Sequence, residues 1–147
     1  MVFVRNEVLM EFRIFNSLPS DAAGIRREVF VEEQGFLEEF DSIDPTATHI
    51  VVYDGSDPVG TCRVFYEERR ASYVLGRLAI RKKYRGRDIG SWLLKEAEQE
   101  VKKRGGRQLI LHSQCVASGF YAKNGYREFG EIDDDEGCPH IWMKKEL

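Results

Sequence analysis

The sequence has few cysteines, and their spacing excludes two common kinds of cross-link. Only three occur in 147 residues, at Cys62, Cys115 and Cys138. They are odd in number, lie far apart and form no C-x-x-C pair, so we expect neither a disulfide framework nor a metal site. Reduced thiols of this kind are typical of a cytoplasmic protein. Cys115 lies near a histidine in the sequence, but such spacing alone is a weak indication of a nucleophile.

Long apolar runs and an excess of one charge are also missing. No run approaches the roughly 20 apolar residues that span a membrane, and the N-terminus has no signal-peptide pattern. The 22 basic and 25 acidic side chains give a net charge of -3, which provides no basic footprint for nucleic acid. We therefore expect no membrane or nucleic-acid partner. The length suits a single domain spanning residues 1–147, with residues 1–9 interpreted as an N-terminal extension.

Residues 73–111 form the most informative stretch of the chain. An apolar run at 73–80 predicts a buried strand, and a basic turn follows at 81–85. A helix is predicted next, because apolar residues recur three and four positions apart. They are Ile89, Trp92, Leu93, Ala97 and Val101. A second strand at 108–111 completes the unit. Backbone N–H groups and the positive end of a helix dipole converge at such a glycine-containing turn, so we expect a phosphorylated ligand.

The spacing within the turn narrows the choice of ligand. The Gly-Lys-Ser/Thr ending of a P-loop is absent, and so is the G-x-G-x-x-G order of dinucleotide sites. The segment from Arg85 to Gly90 instead resembles the acetyl-CoA signature of the GNAT superfamily of N-acetyltransferases, Arg/Gln-x-x-Gly-x-Gly/Ala. Asp88 stands where that signature has its middle glycine. It either favours the start of the helix, as short acidic side chains do, or weakens cofactor binding through a contact between like charges.

A second motif supports the resemblance. Residues 120–126, Phe-Tyr-Ala-Lys-Asn-Gly-Tyr, are similar to the F-Y-x-K-x-G-F/Y motif that follows the acetyl-CoA turn in the superfamily. Residues 27–34, 41–49, 60–64 and 140–143 resemble its ElaA-like branch, so the likeness covers nearly the whole chain. It implies the α/β (α+β) GNAT fold: a mixed central sheet of six to seven strands with an antiparallel N-terminal half and a splayed parallel strand pair. About four helices flank this sheet.

Periodicity and turn residues place the other elements. Further strands are predicted at 11–15, 49–53, 59–66, 126–132 and 140–144. One helix starts at Ser20 or Asp21, either of which can cap it, and stops near Gly35, while a short helix occupies 116–124. The helical signal at 36–45 is weak. The acidic run at 133–136 is interpreted as a solvated loop.

The resemblance also implies a reaction. An acetyl group moves from acetyl-CoA to a primary amine of a small molecule or peptide, which attacks the thioester directly. Tyr121 matches the tyrosine that can protonate the departing thiolate, since a phenol with a pKa of about 10 stays protonated at neutral pH. Candidates for the general base are Glu33, Asp41, His49 and His140, and the predicted catalytic set is Tyr121, Glu33 and His49. An amine that arrives partly neutral needs no dedicated base.

The same resemblance assigns the cofactor site to the turn and the elements around it. No metal is expected there. The residues expected to bind acetyl-CoA are Leu78, Ala79, Ile80, Arg85, Gly86, Arg87, Asp88, Ile89, Gly90, Ser91, Phe120, Tyr121 and Lys123.

Several alternatives stay open at this level. A catalytically weak acyl-CoA-binding regulatory module would share the fold, and Asp88 is the feature that favours it. A purely structural α/β interaction domain would leave the basic turn unexplained. The acidic residues within 32–44 either attract a cationic amine to the acceptor cleft or form a solvated loop. The acceptor is not identified, and a strand near the C-terminus that lies at a sheet edge can pair in a homodimer.

Overall fold

A computed structural model describes residues 2–5 and 8–147 of the chain, with side chains from residue 10 onward. Eight strands form one sheet in the order β1-β2-β3-β4-β5-β6-β8-β7. The strands are β1 (Val2–Arg5), β2 (Val8–Phe15), β3 (Thr48–Asp54), β4 (Asp57–Glu67), β5 (Ser72–Ile80), β6 (Gln108–Gln114), β7 (Arg127–Asp135) and β8 (Cys138–Glu146). The α-helices are α1 (Ser20–Arg26), α2 (Ile89–Lys103) and α3 (Ser118–Lys123).

Shorter helical turns extend two of these helices. A π-helical segment, Arg27–Glu33, continues α1, and a 3₁₀ turn, Cys115–Ala117, leads into α3. A further 3₁₀ turn, Lys82–Tyr84, follows β5. Gly35, the predicted stop of the first helix, lies just after the π-helical segment ends. It has a left-handed φ of 78°, the conformation that commonly ends a helix.

The sheet has the predicted mixed architecture. Every neighbouring pair is antiparallel except β5 and β6, which run parallel and are joined through α2. The strand count is one higher than expected because β1 pairs with β2, which begins at Val8 rather than at residue 11. The backbone at 2–5 thus belongs to the sheet. Residues 1, 6 and 7 of the predicted extension lie outside the described residues, and the single-domain assignment stays a prediction.

A bulge opens the sheet where β5 leaves β6. The parallel ladder covers only Tyr73 to Leu75 of β5. On the other side of β5, the register with β4 shifts so that Arg77 and Leu78 face one residue of β4, Cys62. Arg77 takes a left-handed φ of 54°, the extra residue of a bulge that bends its strand. The two parallel strands therefore separate beyond Leu75 and leave a gap between them.

Two apolar layers cover the sheet. The helix α2 buries the face predicted from its periodicity, with Leu94 in addition, and every buried apolar residue of the helix is at most 4% exposed. Trp92 is only partly buried and packs edge-on against Phe12, with ring centroids 5.9 Å apart. On the opposite side, Ala22, Ile25 and Val29 form the second layer as expected. Among the described helices, none has both the length and the apolar character that crossing a membrane requires.

Three local predictions are wrong. Residues 36–45 form an irregular loop rather than a helix. The helix α1 is preceded by Pro19, and neither Ser20 nor Asp21 caps it with a side-chain hydrogen bond. The acidic run at 133–136 continues β7 to Asp135, and Glu136 and Gly137 form a tight hairpin turn with φ values of 50° and 82°. Positive φ at both central positions matches the twist of a two-residue hairpin.

Buried ion pairs hold the loop at 36–47 against the sheet. Arg26 and Arg63 are 1% and 3% exposed, and Asp44 lies between them with its Oδ1 2.8 Å from a guanidinium nitrogen of each. Burial alone would raise the pKa of Asp44, but the hydrogen bonds and charges of these arginines outweigh it and hold that pKa far below its usual range. The remaining pairs are Arg26 with Glu39 at 2.8 Å, Arg63 with Asp41 at 2.7 Å, Arg77 with Glu39 at 3.0 Å and Arg77 with Asp41 at 3.4 Å.

Removal of one charge from this cluster should destabilise the whole chain. Asp44→Asn keeps the shape of the side chain but leaves two buried guanidinium groups under-compensated, so the free energy of unfolding should fall by about 3 kcal/mol. Urea unfolding followed by circular dichroism measures it. The control is Glu68→Gln in the exposed turn after β4, which should change that free energy by less than about 0.5 kcal/mol. Equal effects of the two variants would contradict the role of the cluster.

The same cluster predicts a loss of stability in acid. The pKa values of Asp41 and Asp44 are lower in the folded chain than their usual value, which is about 3.9 in unfolded peptides. Their contribution is therefore complete above that value and is lost as the pH falls below it. Burial raises the pKa of Glu39, so at higher pH this residue offsets part of the stability that Asp41 and Asp44 contribute. Urea midpoints measured from pH 6 to pH 3 should fall more steeply for the natural chain than for Asp44→Asn.

Candidate functional site

Two clefts meet in the gap between β5 and β6. The larger, here called the turn cleft, has a volume of about 540 Å³ and lies between the end of β5, the turn at 85–91 and α3. The smaller, here called the side cleft, has a volume of about 180 Å³ and lies between the loop at 34–39, β6 and β8. Four residues line both clefts: Gln34, Leu78, Ala117 and Tyr121. The site is therefore two cavities with a common wall.

The structure brings together almost all the residues predicted to bind the cofactor. Each of them lines the turn cleft except Arg87, whose guanidinium carbon lies 5.5 Å from the ring centroid of Tyr84. The end of β5 contributes Leu78, Ala79 and Ile80, which lie past the point where the ladder to β6 stops. Main-chain groups on that edge of the strand thus face the cleft instead of a neighbouring strand.

The turn takes its shape from two left-handed residues. Gly86 has a φ of 78° and Asp88 a φ of 61°, and the N–H of Trp92 donates to the carbonyl of Asp88 at 3.1 Å as α2 begins. The preceding N–H groups of the helix have no intrahelical acceptor, and the helix dipole makes this end positive. An anion in the turn cleft would meet those groups.

The backbone of Asp88 has the left-handed conformation that this turn requires. Its side chain is exposed and makes no capping hydrogen bond to the helix, so the predicted capping interaction is absent. A left-handed φ is the conformation that glycine supplies most readily and that aspartate tolerates better than most residues. Asp88 therefore preserves the turn that a middle glycine would form, and as an exposed residue it lines the turn cleft.

Gly90 and Arg85 fix the position of the turn. A Cβ on Gly90 would lie 3.2 Å from Cζ of Phe120, so the turn and α3 are packed closely only because no side chain intervenes. Arg85 donates through Nε to the carbonyl of Ile80 at 2.8 Å and pairs through Nη2 with Glu33 at 3.0 Å. Glu33, a predicted base, is thus engaged beside the turn and does not line either cleft.

Tyr121 stands where the clefts meet. It is 8% exposed, and its ring packs edge-on against Phe120 and Tyr126 at centroid distances of 5.0 and 6.0 Å. Burial raises the pKa of its phenol well above the usual value. The hydroxyl therefore remains protonated over the whole neutral range and is able to donate a hydrogen bond.

The side cleft holds two histidines. His140 and His112 stack with ring centroids 4.6 Å apart, and Trp142 stacks on the far side of His112 at 4.8 Å. His112 Nε2 lies 2.6 Å from Asp133 Oδ1, and this hydrogen bond lowers the pKa of Asp133. Sequence reasoning missed His112. Its position becomes significant only through the pairing of β6 with β8 and of β8 with β7.

The structure does not bring His49 into either cleft. Its side chain is fully buried, and Nε2 lies 2.9 Å from the carbonyl oxygen of Asp44. Burial lowers the pKa of His49. Asp41, another predicted base, pairs with Arg63 and Arg77. Both residues thus belong to the ion-pair cluster under the side cleft.

Carboxylates lie at the mouth of the side cleft. Glu38 and Asp135 are exposed and line it, whereas Glu39 is buried and paired with Arg77. Glu136 accepts hydrogen bonds from the N–H groups of Leu37 and Glu38 at 2.9 and 3.3 Å, so the hairpin turn after β7 holds the loop. The acidic run is therefore exposed to solvent, as expected, but its residues are ordered by strand pairing and by these hydrogen bonds.

The sequence and the fold both match known proteins. Residues 19–147 match the family model described as "Acetyltransferase (GNAT) domain". The uncharacterized N-acetyltransferase YjcF of Bacillus subtilis is 37% identical over 129 residues, which cover 86% of this chain and 91% of that protein. A solved structure from Lactobacillus plantarum is 33% identical, with a TM-score of 0.86 and coverage of 94% and 98% of the two chains. Escherichia coli ElaA shares the fold at 23% identity, with a TM-score of 0.83 and coverage of 93% and 99%.

The conformation of Asp88 predicts an order of stability among its variants. Asp88→Val should lower the free energy of unfolding by about 1–2 kcal/mol, because a β-branched residue is strained at positive φ. Asp88→Gly and Asp88→Asn should each change it by less than about 0.5 kcal/mol, since both residues accept this conformation. Urea unfolding of the three variants provides the test. A valine variant as stable as the asparagine variant would show that the turn is not held in the left-handed region.

Proposed function

The chain belongs to the GNAT family of acetyltransferases, and we propose that it transfers the acetyl group of acetyl-CoA to a primary amine by direct attack of the amine on the thioester. The observation that carries this proposal is the position of Tyr121 in the wall shared by the two clefts. A donor in the turn cleft and an acceptor in the side cleft would then meet at one phenol.

The turn cleft has the features that the CoA part of the donor requires. Its turn presents free helix N–H groups to a pyrophosphate, and Arg85 and Lys123 add positive charge at its rim. Because Gly90 has no side chain, the backbone of the turn packs directly against the ring of Phe120. The unpaired edge of β5 at 78–80 supplies main-chain groups for the amide-containing pantetheine arm. A donor bound in this way would place its thioester near Leu78 and Tyr121.

The chemistry of the transfer needs one proton donor and one proton acceptor. As the amine attacks, the carbonyl oxygen gains negative charge, which main-chain N–H groups near Leu78 would stabilise. The carbon–sulfur bond then breaks and the CoA thiolate leaves. Tyr121, kept protonated by its burial, is positioned to protonate this sulfur.

The side cleft favours an acceptor with positive charge. Arg26, Arg63 and Arg77 are matched by Glu39, Asp41 and Asp44, which leaves Glu38 and Asp135 as unmatched carboxylates at the cleft mouth. An acidic entrance of this kind attracts an ammonium group and raises its local concentration. We therefore propose a small molecule or a flexible peptide that carries a protonated primary amine.

Acetyl-CoA binding and turnover test the proposal together. Acetyl-CoA should raise the midpoint of thermal unfolding, because a ligand that binds only the folded chain adds about 2.7 kcal/mol at a hundredfold excess over its Kd. Thiol release from acetyl-CoA over a panel of primary amines then reports transfer. Binding with no release from any amine would favour an acyl-CoA-binding module. Asp88→Gly distinguishes the two further, since only a turn weakened by its carboxylate would gain affinity.

Tyr121→Phe should separate binding from chemistry. The loss of the phenol proton should lower kcat by about 10²–10³-fold, while the acetyl-CoA-induced shift in melting temperature stays unchanged. The matched control is Tyr66→Phe, which removes the hydroxyl of an exposed tyrosine on β4 and should leave kcat within about twofold. A Tyr121→Phe enzyme with normal kcat would exclude the phenol as the proton donor.

A further inference from the structure

We propose that His140 is the general base that takes the proton from the acceptor ammonium, through its Nε2 atom. This inference rests on the proposed function and names a residue for a role that Glu33 and His49 do not reach. Glu33 is engaged by Arg85 outside the clefts, and His49 is enclosed in the ion-pair cluster. His140 is in the side cleft itself, together with Tyr121.

The hydrogen bond of His140 determines which ring nitrogen is basic. Its Nδ1 lies 2.8 Å from the carbonyl oxygen of Cys138. A carbonyl oxygen only accepts, so Nδ1 carries the hydrogen, and in the neutral ring Nε2 carries the lone pair. The ring is thus held as the tautomer that a base on its Nε2 side requires.

Packing restricts where that lone pair can point. His140 is 6% exposed and stacks on His112 at an interplanar angle of 29°. His112 is held in turn by Trp142 on its other face and by Asp133 at its edge. A ring fixed by a stack and by a backbone hydrogen bond has little rotational freedom to lose when a substrate binds. His140 is therefore pre-oriented.

A carboxylate lies beside His140 on the neighbouring strand. Asp133 is the cross-strand partner of His140 in the pairing of β7 with β8, and its hydrogen bond to His112 lowers its own pKa. The site thus places a negative charge next to the ring that accepts the proton. The charged and titratable groups that face His140 are His112 on β6, Asp133 and Asp135 on β7, Glu38 and Glu39 in the loop, Arg77 on β5 and Tyr121 on α3.

The other carboxylates of the side cleft are less suited to the role. The Oε2 atom of Glu39 accepts from Arg26 and pairs with Arg77, so this carboxylate is committed to two guanidinium groups. Glu38 and Asp135 are exposed at the mouth. They are placed to attract the ammonium rather than to receive its proton beside Tyr121.

The proton inventory of the step balances. His140 Nε2 takes one proton from the ammonium, and the neutral nitrogen forms a bond to the thioester carbon. The carbon–sulfur bond breaks as Tyr121 gives its proton to sulfur. The attacking nitrogen then loses its surplus proton, which restores the phenol, and His140 releases its proton to solvent. The products are the amide, CoA thiol and one proton.

A series of acceptors with nearly constant size tests this role. Ethylamine, 2-fluoroethylamine and 2,2,2-trifluoroethylamine differ little in shape, but their conjugate acids become steadily stronger, so the last is neutral at pH 7. For His140→Asn, kcat/KM at pH 7 should fall by about 10²-fold with ethylamine and by no more than about threefold with trifluoroethylamine. A residue that only shapes the cleft would give equal losses across the series.

His112→Asn is the matched comparison, because it removes the stacked ring that already donates to Asp133. Its losses should be uniform over the three amines, since it acts on the position of His140. The acetyl-CoA-induced melting shift confirms that each variant is folded and binds the donor. Equal losses across the series for His140→Asn, or the graded pattern in His112→Asn instead, would overturn the assignment. If the natural chain acetylates no amine at all, the proposed function itself fails.

The natural chain supplies a second test should His140→Asn or His140→Gln not fold. Its kcat/KM with ethylamine should fall as the pH is lowered through the titration of the base. With trifluoroethylamine the fall should be much weaker as long as the pH stays above the pKa of that amine, because its neutral form needs no deprotonation. Parallel profiles for the two amines would exclude a base acting on the acceptor.

Discussion

The site depends on a group of paired charges, four of which are buried. Arg26, Arg63 and Arg77 meet Glu39, Asp41 and Asp44 beneath the side cleft. An ionised group is costly to bury without a partner of opposite charge. Moving any member away would leave another charge uncompensated, so the members hold one another in place. The loop at 36–47, which has no regular secondary structure, is thereby pinned to the sheet. The wall of the side cleft exists because of this pairing.

The cluster also explains the position of the bulge in β5. Arg77 is the left-handed residue of that bulge, and its guanidinium pairs with Glu39 and lies against Asp41. The bulge bends β5 away from β6 and opens the gap that the clefts occupy. The same strand then delivers 78–80 to the turn cleft. One side chain thus links the ordering of the loop to the opening of the sheet.

The sequence predicted those parts of the molecule that depend on local pattern. The buried face of α2 and the turn from Arg85 to Gly90 follow from spacing within a short stretch, the parallel strand pair follows from the family resemblance, and the structure has each of them. The ion-pair cluster, the burial of His49 and the stack of His112 on His140 were not predictable in this way. Each requires knowing which distant residues face one another across strands, and the sequence of a single strand does not specify this.

Three of the residues that build the site are held in a backbone conformation that most side chains avoid. Arg77, Asp88 and Glu136 all have positive φ. Aspartate tolerates this conformation, but at Arg77 and Glu136 it costs roughly 1–2 kcal/mol each, in a class of molecules whose total stability is about 5–15 kcal/mol. Glycine would relieve that cost at these two positions. At Arg77 and Glu136, however, glycine would remove the side chain that holds Glu39 or the N–H groups of Leu37 and Glu38. Stability and cleft geometry are therefore in direct competition at these two positions, and a more heat-resistant version of this chain would have to gain its stability elsewhere.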